Sequence, residues 1–136
     1  MAFTIHHSKR IPAVKIEIRI DDIVLAGTLD ENNTARQIAA ILPIEGPANL
    51  WGQEIYFEIP LDIALADDAV AEVDVGAMAY WPAGRALCIF FGPTPVSTGE
   101  RPTAYSPVNV FGRIDADCRV LKQVADGALV RIRLMQ

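Results

Sequence analysis

The sequence has little of the residues that most enzymes use for acid–base and metal chemistry. It contains only two histidines, side by side near the N-terminus, and two cysteines that are far apart in the chain. The short motifs GxGxxG, GxxxxGK[ST], HExxH and CxxC are all absent. Nucleotide binding, zinc-dependent hydrolysis and dithiol chemistry therefore lack their local signatures, and we expect neither a metal nor a cofactor.

Basic charge and long apolar runs are also scarce. Twelve Lys and Arg against seventeen Asp and Glu give a net charge of −5, which opposes binding to nucleic acid phosphates. No apolar run approaches the roughly 20 residues that span a bilayer, so we expect no membrane segment. Residues 1–15 show no pattern of a secretory signal, and Cys88 and Cys118 are predicted to be buried thiols. These features predict a cytoplasmic protein.

What is present is the composition of a folded domain. Hydrophobic residues make up 51% of the 136 residues and charged residues 21%. A chain of this length buries most of its apolar surface in one core. We predict a flexible N-terminal arm over residues 1–12 and one domain over residues 13–136. His6 and His7 fall in the arm, where adjacent side chains on an extended segment point apart and form no chelate.

Period-two alternation of apolar and polar residues marks most of the strands. The clearest case is AVKIEIRI, in which Val14, Ile16, Ile18 and Ile20 share one face. By the same criterion and by their flanking turns, strands are predicted over 13–20, 23–29, 49–60, 75–81, 86–91, 108–114 and 128–134, with a short one within 61–75.

Two short helices interrupt the strands. ENNTARQIAAIL places apolar residues on one helical face, with Asn33 as the predicted N-cap. ADCRVLKQV forms the second helix, capped by Asp115 or Asp117. Many short strands with two helical excursions predict a mainly β protein, a closed antiparallel barrel of about eight strands.

The stretch YWPAGRALCIFFGPTP combines a strand with a candidate binding rim. ALCIFF is apolar at every position, which is typical of a strand buried on both faces. Pro82 and Gly84 impose a turn between Trp81 and Arg85. An aromatic ring and an arginine beside a rigid turn are common at binding sites. The alternative is that Trp81 covers the barrel end with Arg85 stacked on it. The residues leave both open.

A second candidate group lies in NLWGQEIYFEIP. Glu54 and Tyr56 project from the same face of the predicted strand, which allows a paired polar site. The alternative, favoured for Glu54 taken alone, is an ordinary surface residue. Gly52, next to Trp51, indicates a bulge or a close approach of another backbone.

Three motifs, WGQEIYFEIP, YWPAGRALCIFFGPTP and SPVNVFGRI, resemble the small prokaryotic cyclophilin-like family. The run VNVFGRIDADCRVLKQVADGALVRIRL is also similar to the end of cyclophilins. The resemblance covers most of residues 13–136 and implies the cyclophilin barrel, with no settled function.

The resemblance does not carry over the prolyl isomerase site of true cyclophilins. That site has an arginine on the strand after the first helix, accompanied by a glutamine, phenylalanines, a tryptophan and a histidine. Phe91 keeps its residue type, whereas Ile89 and Val108 stand where the glutamine and the histidine are expected. The matching strand, WGQEIYF, contains no arginine.

The first functional hypothesis is a module that binds a peptide or a small molecule. Its predicted groove contains Trp51, Glu54, Tyr56, Tyr80, Trp81, Arg85, Phe91 and Tyr105. One alternative is an atypical peptidyl-prolyl isomerase in which Arg85 or Gln53 polarises the amide. Another is an enzyme for a small substrate, with Glu54 as a general base whose pKa is raised by apolar neighbours. A homodimer is also open, because an acidic domain with exposed aromatic side chains is able to pair.

Overall fold

The computed structural model describes residues 13–135, so the arm predicted for residues 1–12, with His6 and His7, lies outside the described residues. Strands dominate the described part, and one α-helix and one 3₁₀ helix interrupt them. In chain order the elements are β1 (Val14–Ile20), β2 (Ile23–Leu29), α1 (Asn33–Ile41), β3 (Ile44–Pro47), β4 (Asn49–Leu50), β5 (Glu54–Glu58), β6 (Val70–Glu72), β7 (Ala77–Trp81), β8 (Ala86–Phe90), β9 (Thr103–Ile114), the 3₁₀ helix (Cys118–Gln123) and β10 (Leu129–Leu134).

The strands form one antiparallel sheet in the order β3-β10-β1-β2-β9-β7-β8-β5-β4, and β6 pairs separately with β9. The mainly β, antiparallel architecture predicted from the sequence is confirmed, with ten strands in the described residues where about eight were predicted. The prediction that hydrogen bonds close the barrel is wrong, because β3 and β4 are the two edge strands of the sheet and do not pair with each other. The chain itself joins these two edges at Ala48, whose backbone N–H donates to the Ala128 carbonyl at 2.7 Å.

The predicted burial of one face of β1 is confirmed. Ile16, Ile18 and Ile20 are fully buried in the main core, while Glu17 lies on the opposite face and accepts a hydrogen bond from Arg133 of β10 at 2.9 Å. β1 and β2 form the expected hairpin. The period-two pattern was sufficient to predict this hairpin, because one face of the strand pair is buried and the other is in contact with solvent.

The structure differs from the prediction at the two helices and around residue 50. Asn32, not Asn33, caps α1, since its side chain accepts a hydrogen bond from the Ala35 N–H at 2.8 Å. Asp117 caps the second helix, as one of the two predicted residues, but that helix is 3₁₀. The predicted strand over 49–60 is two strands separated by a turn, and β3 was not predicted. No helix within residues 13–135 has the length and apolarity needed to cross a bilayer.

Two buried side chains fix the long segment between β5 and β6. The hydroxyl of Tyr80 donates to the Leu61 carbonyl at 2.7 Å and accepts from the Ile63 N–H at 3.2 Å. The side-chain carbonyl of Asn109 accepts from the Ala66 N–H at 2.8 Å, and its amide donates to a carbonyl of the same segment at 2.9 Å. These bonds satisfy backbone groups that no strand pairs, so the segment follows a defined path across the sheet.

Candidate functional site

The site is built on the face of β7, β8 and β5 that points away from the main core. In this part of the sheet Glu54 pairs with Phe90, Tyr56 with Cys88, and Trp81 with Ala86. Because alternate residues of a strand point to opposite faces, these side chains share one face, while their sequence neighbours fill the main core. A second, smaller apolar cluster therefore covers this outer face.

A pocket of about 170 Å³ opens on the outer face. It is lined by four aromatic side chains, one carboxylate, one thiol and two small apolar residues: Trp51, Tyr56, Trp81, Tyr105, Glu54, Cys88, Ala104 and Val108. A cavity of about 150 Å³ in a protein core is large enough for benzene. The pocket thus has room for one compact group rather than for a whole drug-sized molecule.

Tyr105 stands between the two tryptophans of the pocket. Its ring centroid lies 6.1 Å from that of Trp51 and 6.1 Å from that of Trp81, with interplanar angles of 72° and 79°. Edge-to-face contacts of this kind are the favoured geometry for aromatic pairs. The rings therefore form adjoining walls of a box, and Tyr105, which is 73% exposed, lies at its mouth.

A tight turn between β4 and β5 places Trp51. The backbone N–H of Trp51 donates to the Glu54 carbonyl at 3.0 Å, and the N–H of Gln53 donates to the Pro93 carbonyl at 2.9 Å. Gly52 adopts a φ of +58°, and a Cβ added there would lie 2.9 Å from the backbone Cα of Thr94. The close backbone approach predicted from Gly52 is confirmed, and it presses the turn that carries Trp51 against the loop after β8.

Trp81 is fixed from two sides. Its indole Nε1 donates to the hydroxyl of Ser106 on β9 at 2.7 Å. Its six-membered ring packs on Gly84 in the turn between β7 and β8, where an added Cβ would overlap ring carbon Cζ3. The indole is thus held in one orientation in the folded protein, with one side facing the pocket.

Glu54 is the carboxylate of the pocket and is only 6% exposed. Burial raises its pKa from the ordinary 4.5 to about 7, against a smaller lowering by a hydrogen bond with the Cys88 thiol. Burial, and then the adjacent carboxylate, raise the pKa of Cys88 well above its ordinary value, so this thiol stays protonated. A carboxyl group with a pKa near neutral pH can act as an acceptor, a donor or a base, depending on what occupies the pocket.

The structure brings together five of the eight residues predicted for the groove. Trp51, Glu54, Tyr56, Trp81 and Tyr105 all line this pocket.

The other three predicted residues lie elsewhere. Tyr80 and Phe91 are buried in the main core. Tyr80 is next to Trp81 on β7, so alternation turns it to the opposite face. Arg85, in a turn with a φ of +49°, forms an exposed ion pair with Glu58 at 3.3 Å and does not line the pocket.

The lining residues that sequence reasoning missed are Cys88, Ala104 and Val108. Cys88 was expected in the core, and β8 is indeed buried along its whole length, but one of its faces forms the floor of the pocket. The pairing of Cys88 with Tyr56 is the feature that would have revealed it, and that register is not visible in the sequence of either strand. Ala104 was missed because β9 begins at Thr103, before the predicted 108.

Within residues 13–135, no three His, Cys, Asp or Glu side chains cluster closely enough to hold a metal ion.

Fold and pocket together define a mainly antiparallel β protein with an aromatic pocket on the outer face of its sheet. The family model described as cyclophilin-like matches residues 14–133, so the chain belongs to the cyclophilin-like family. It is also similar to a hypothetical protein from Archaeoglobus fulgidus known from its solution structure. The two are 38% identical with a TM-score of 0.77, and the match covers 93% of this chain and 98% of that one. No curated protein matches the chain.

Proposed function

We propose that the protein is a binding module that holds a small molecule, or one side chain of a peptide, in the aromatic pocket. The observation that carries this proposal is the enclosure of one buried carboxylate by four aromatic side chains, two of which are held by turns at glycines. Ligand sites are typically concave and apolar, with few polar groups placed to orient the ligand. The pocket has this composition.

The size and the mouth of the pocket limit the ligand. At about 170 Å³ the pocket is smaller than the roughly 300–1,000 Å³ typical of sites for drug-sized ligands. It therefore takes the end of a longer ligand, or a very small metabolite. The exposed ring of Tyr105 leaves the rest of such a ligand free to run along the surface. Both a peptide and a free metabolite fit this arrangement.

The chain supplies its own reporter for a direct test. It contains two tryptophans, and both line the pocket. The protein is titrated with a library of cationic, neutral and anionic fragments while the two indole N–H signals are followed by NMR. We expect some fragments to shift both indole signals saturably. Fragments that bind without moving either indole signal, or a library without any binder, would overturn the proposal.

The pKa of Glu54 favours a second candidate, an enzyme that uses this residue as a general base. A base is most effective when its pKa lies near the working pH, and burial brings the pKa of Glu54 to about 7. The test follows fragments with acidic C–H bonds in deuterium oxide. Glu54-dependent exchange should disappear in Glu54→Gln, and equal exchange in both proteins rules out this role.

The contacts of the two residues considered for prolyl isomerisation do not favour that activity. Arg85 pairs with Glu58 in solvent, and the carboxamide of Gln53 packs over Gly92, where an added Cβ would overlap its Oε1 atom. Neither side chain lines the aromatic pocket.

A further inference from the structure

We propose that the group held in the aromatic pocket is an alkylated ammonium ion, enclosed by the aromatic rings and neutralised by the carboxylate of Glu54. This inference rests on the proposed binding function and names the ligand class. It follows from three properties of the pocket, namely the arrangement of the rings, the sign of the charge and the size of the space.

The arrangement of the rings suits a cation. The faces of aromatic rings carry partial negative charge, and a cation within about 6 Å of a ring centroid is attracted to it. Trp51 and Trp81 each meet Tyr105 at a steep angle, 72° and 79°, so the three rings lie as adjoining walls rather than in a stack. Tyr56 adds a fourth aromatic lining. A cation in this box is able to contact several ring systems at once.

The charge of the pocket has the matching sign. Glu54 is the one charged side chain among the eight lining residues, and no Lys, Arg or His is among them. None of the ion pairs found within residues 13–135 includes Glu54. An ionised carboxylate in an apolar site is costly unless it is paired. A cationic ligand supplies that partner, whereas an anionic ligand is repelled.

The size and apolarity of the pocket favour an alkylated ammonium over a bare one. A primary ammonium is compact and strongly hydrated, and it loses that water when it enters an apolar box. Methyl groups on the nitrogen spread the charge over a larger, weakly hydrated surface that packs against aromatic rings. The pocket of about 170 Å³ accommodates a group of roughly the size of benzene, which is also the scale of a trimethylammonium head.

The interaction is expected to depend on pH through Glu54. The other titratable side chains that line the pocket are Cys88 on β8, Tyr56 on β5 and Tyr105 on β9, while β7 contributes Trp81, which does not titrate. Because burial raises the pKa of the Cys88 thiol, it adds no negative charge near neutral pH. Ionisation of Glu54 therefore controls the charge of the pocket, and a cation binds more tightly as the pH rises through about 7.

The test compares choline with dimethylbutanol, its uncharged isostere with carbon in place of nitrogen. Dissociation constants are measured from the indole N–H shifts of the wild type and of Glu54→Gln. At about pH 8 we expect choline to bind the wild type at least about tenfold more tightly than dimethylbutanol, and Glu54→Gln to remove most of that preference. Glu58→Gln, the same change at an exposed position of β5, is the matched control and should keep the preference.

The outcomes separate this inference from the function on which it rests. If dimethylbutanol binds as tightly as choline, or if Glu54→Gln keeps the preference for choline, the ammonium assignment is wrong although the pocket still binds ligands. If no fragment of any charge shifts the indole signals, the binding function and the ammonium assignment fail together. A thermal unfolding curve for each variant establishes that the compared proteins are folded.

A second arm distinguishes the two sources of an alkylated ammonium. Choline represents a free metabolite, and a short peptide with one trimethyllysine represents a modified protein. The same peptide with unmodified lysine is the control for the chain alone. Tighter binding of the trimethyllysine peptide than of choline indicates a protein partner, and the reverse indicates a metabolite. Equal binding of the modified and unmodified peptides contradicts recognition of the alkylated head.

Discussion

Replacement of Glu54 by Gln should make the protein more stable at high pH, although it removes the charged group of the candidate site. Burial raises the pKa of Glu54 to about 7 from an ordinary 4.5. A raised pKa means that the folded state binds the proton more tightly than the unfolded state does. The contribution of this carboxyl to stability is therefore fully present below about pH 4.5 and is lost as the pH rises to about 7.

The size of the loss follows from the two pKa values. Each pH unit between them corresponds to about 1.4 kcal/mol, so the interval from 4.5 to about 7 amounts to about 3 kcal/mol. The Gln side chain has similar size and does not ionise. The free energy of unfolding of Glu54→Gln minus that of the wild type should thus increase by about 3 kcal/mol between about pH 4 and pH 8.

Urea denaturation, followed by tryptophan fluorescence at a series of pH values, measures this difference. With a slope of about 1–3 kcal/mol/M, the two urea midpoints should move apart by about 1–3 M across the pH range. Glu58→Gln is the control, since that residue is exposed and its ion pair with Arg85 contributes less than about 1 kcal/mol. A difference between Glu54→Gln and the wild type that stays constant from low to high pH would refute the reasoning.

Three further substitutions test the surroundings of the site by denaturation. Gly52→Ala should lower the free energy of unfolding by about 1–3 kcal/mol and weaken fragment binding, because φ at this position is +58° and the turn is crowded. Gly99→Ala is the control, and it should leave stability unchanged because there is open space around Gly99. Tyr80→Phe should lower the free energy of unfolding by about 1–3 kcal/mol, because it leaves two backbone groups without their partner, and it should not affect fragment binding. Tyr105→Phe, at an exposed ring, should not change stability. Asn109→Ala should cost about 2–4 kcal/mol for the same reason as Tyr80→Phe. Wild-type stability in any of the three destabilising variants contradicts the contacts assigned to it.

The strands could be predicted where one face is buried and the other is wet. Residues of β1 alternate in this way, and the structure places their faces as expected. The polar positions of β5 also share one face, but Glu54 is buried there in the pocket and is not a surface residue. The turn at Gly52 and the edge strand β3 could not be predicted from periodicity, because β4 is only two residues long and β3 only four. Segments this short have too few positions for a period to be visible.

The candidate site could be predicted only in part, for a related reason. The sequence shows that Glu54 and Tyr56 share a face of one strand, but it does not show which strand lies beside them. Pairing with β8 and β7 brings Cys88 and Trp81 to the same face, and these contacts between residues far apart in the chain depend on register. Tyr80 was predicted in the groove together with Trp81, but the two are neighbours on β7 and alternation places them on opposite faces.

The absence of the cyclophilin arginine from this chain can be related to the charge of the pocket. The strand that the resemblance matched to the arginine-bearing strand is β5, which contributes Glu54 and Tyr56 to the pocket. A carboxylate at such a site attracts cations, whereas an arginine polarises carbonyl groups. The chain belongs to the cyclophilin-like family, but the charged group of its proposed binding site is negative, whereas the arginine of the prolyl isomerase site is positive.

The pKa of Glu54 with and without choline tests the central claim most directly. Carbon NMR of the labelled carboxyl group follows its ionisation across the pH range. We predict titration near pH 7 in the free protein, and a pKa lower by about 1 or more when choline saturates the pocket, because a nearby cation favours the ionised form. A pKa that is the same with and without choline would contradict the account.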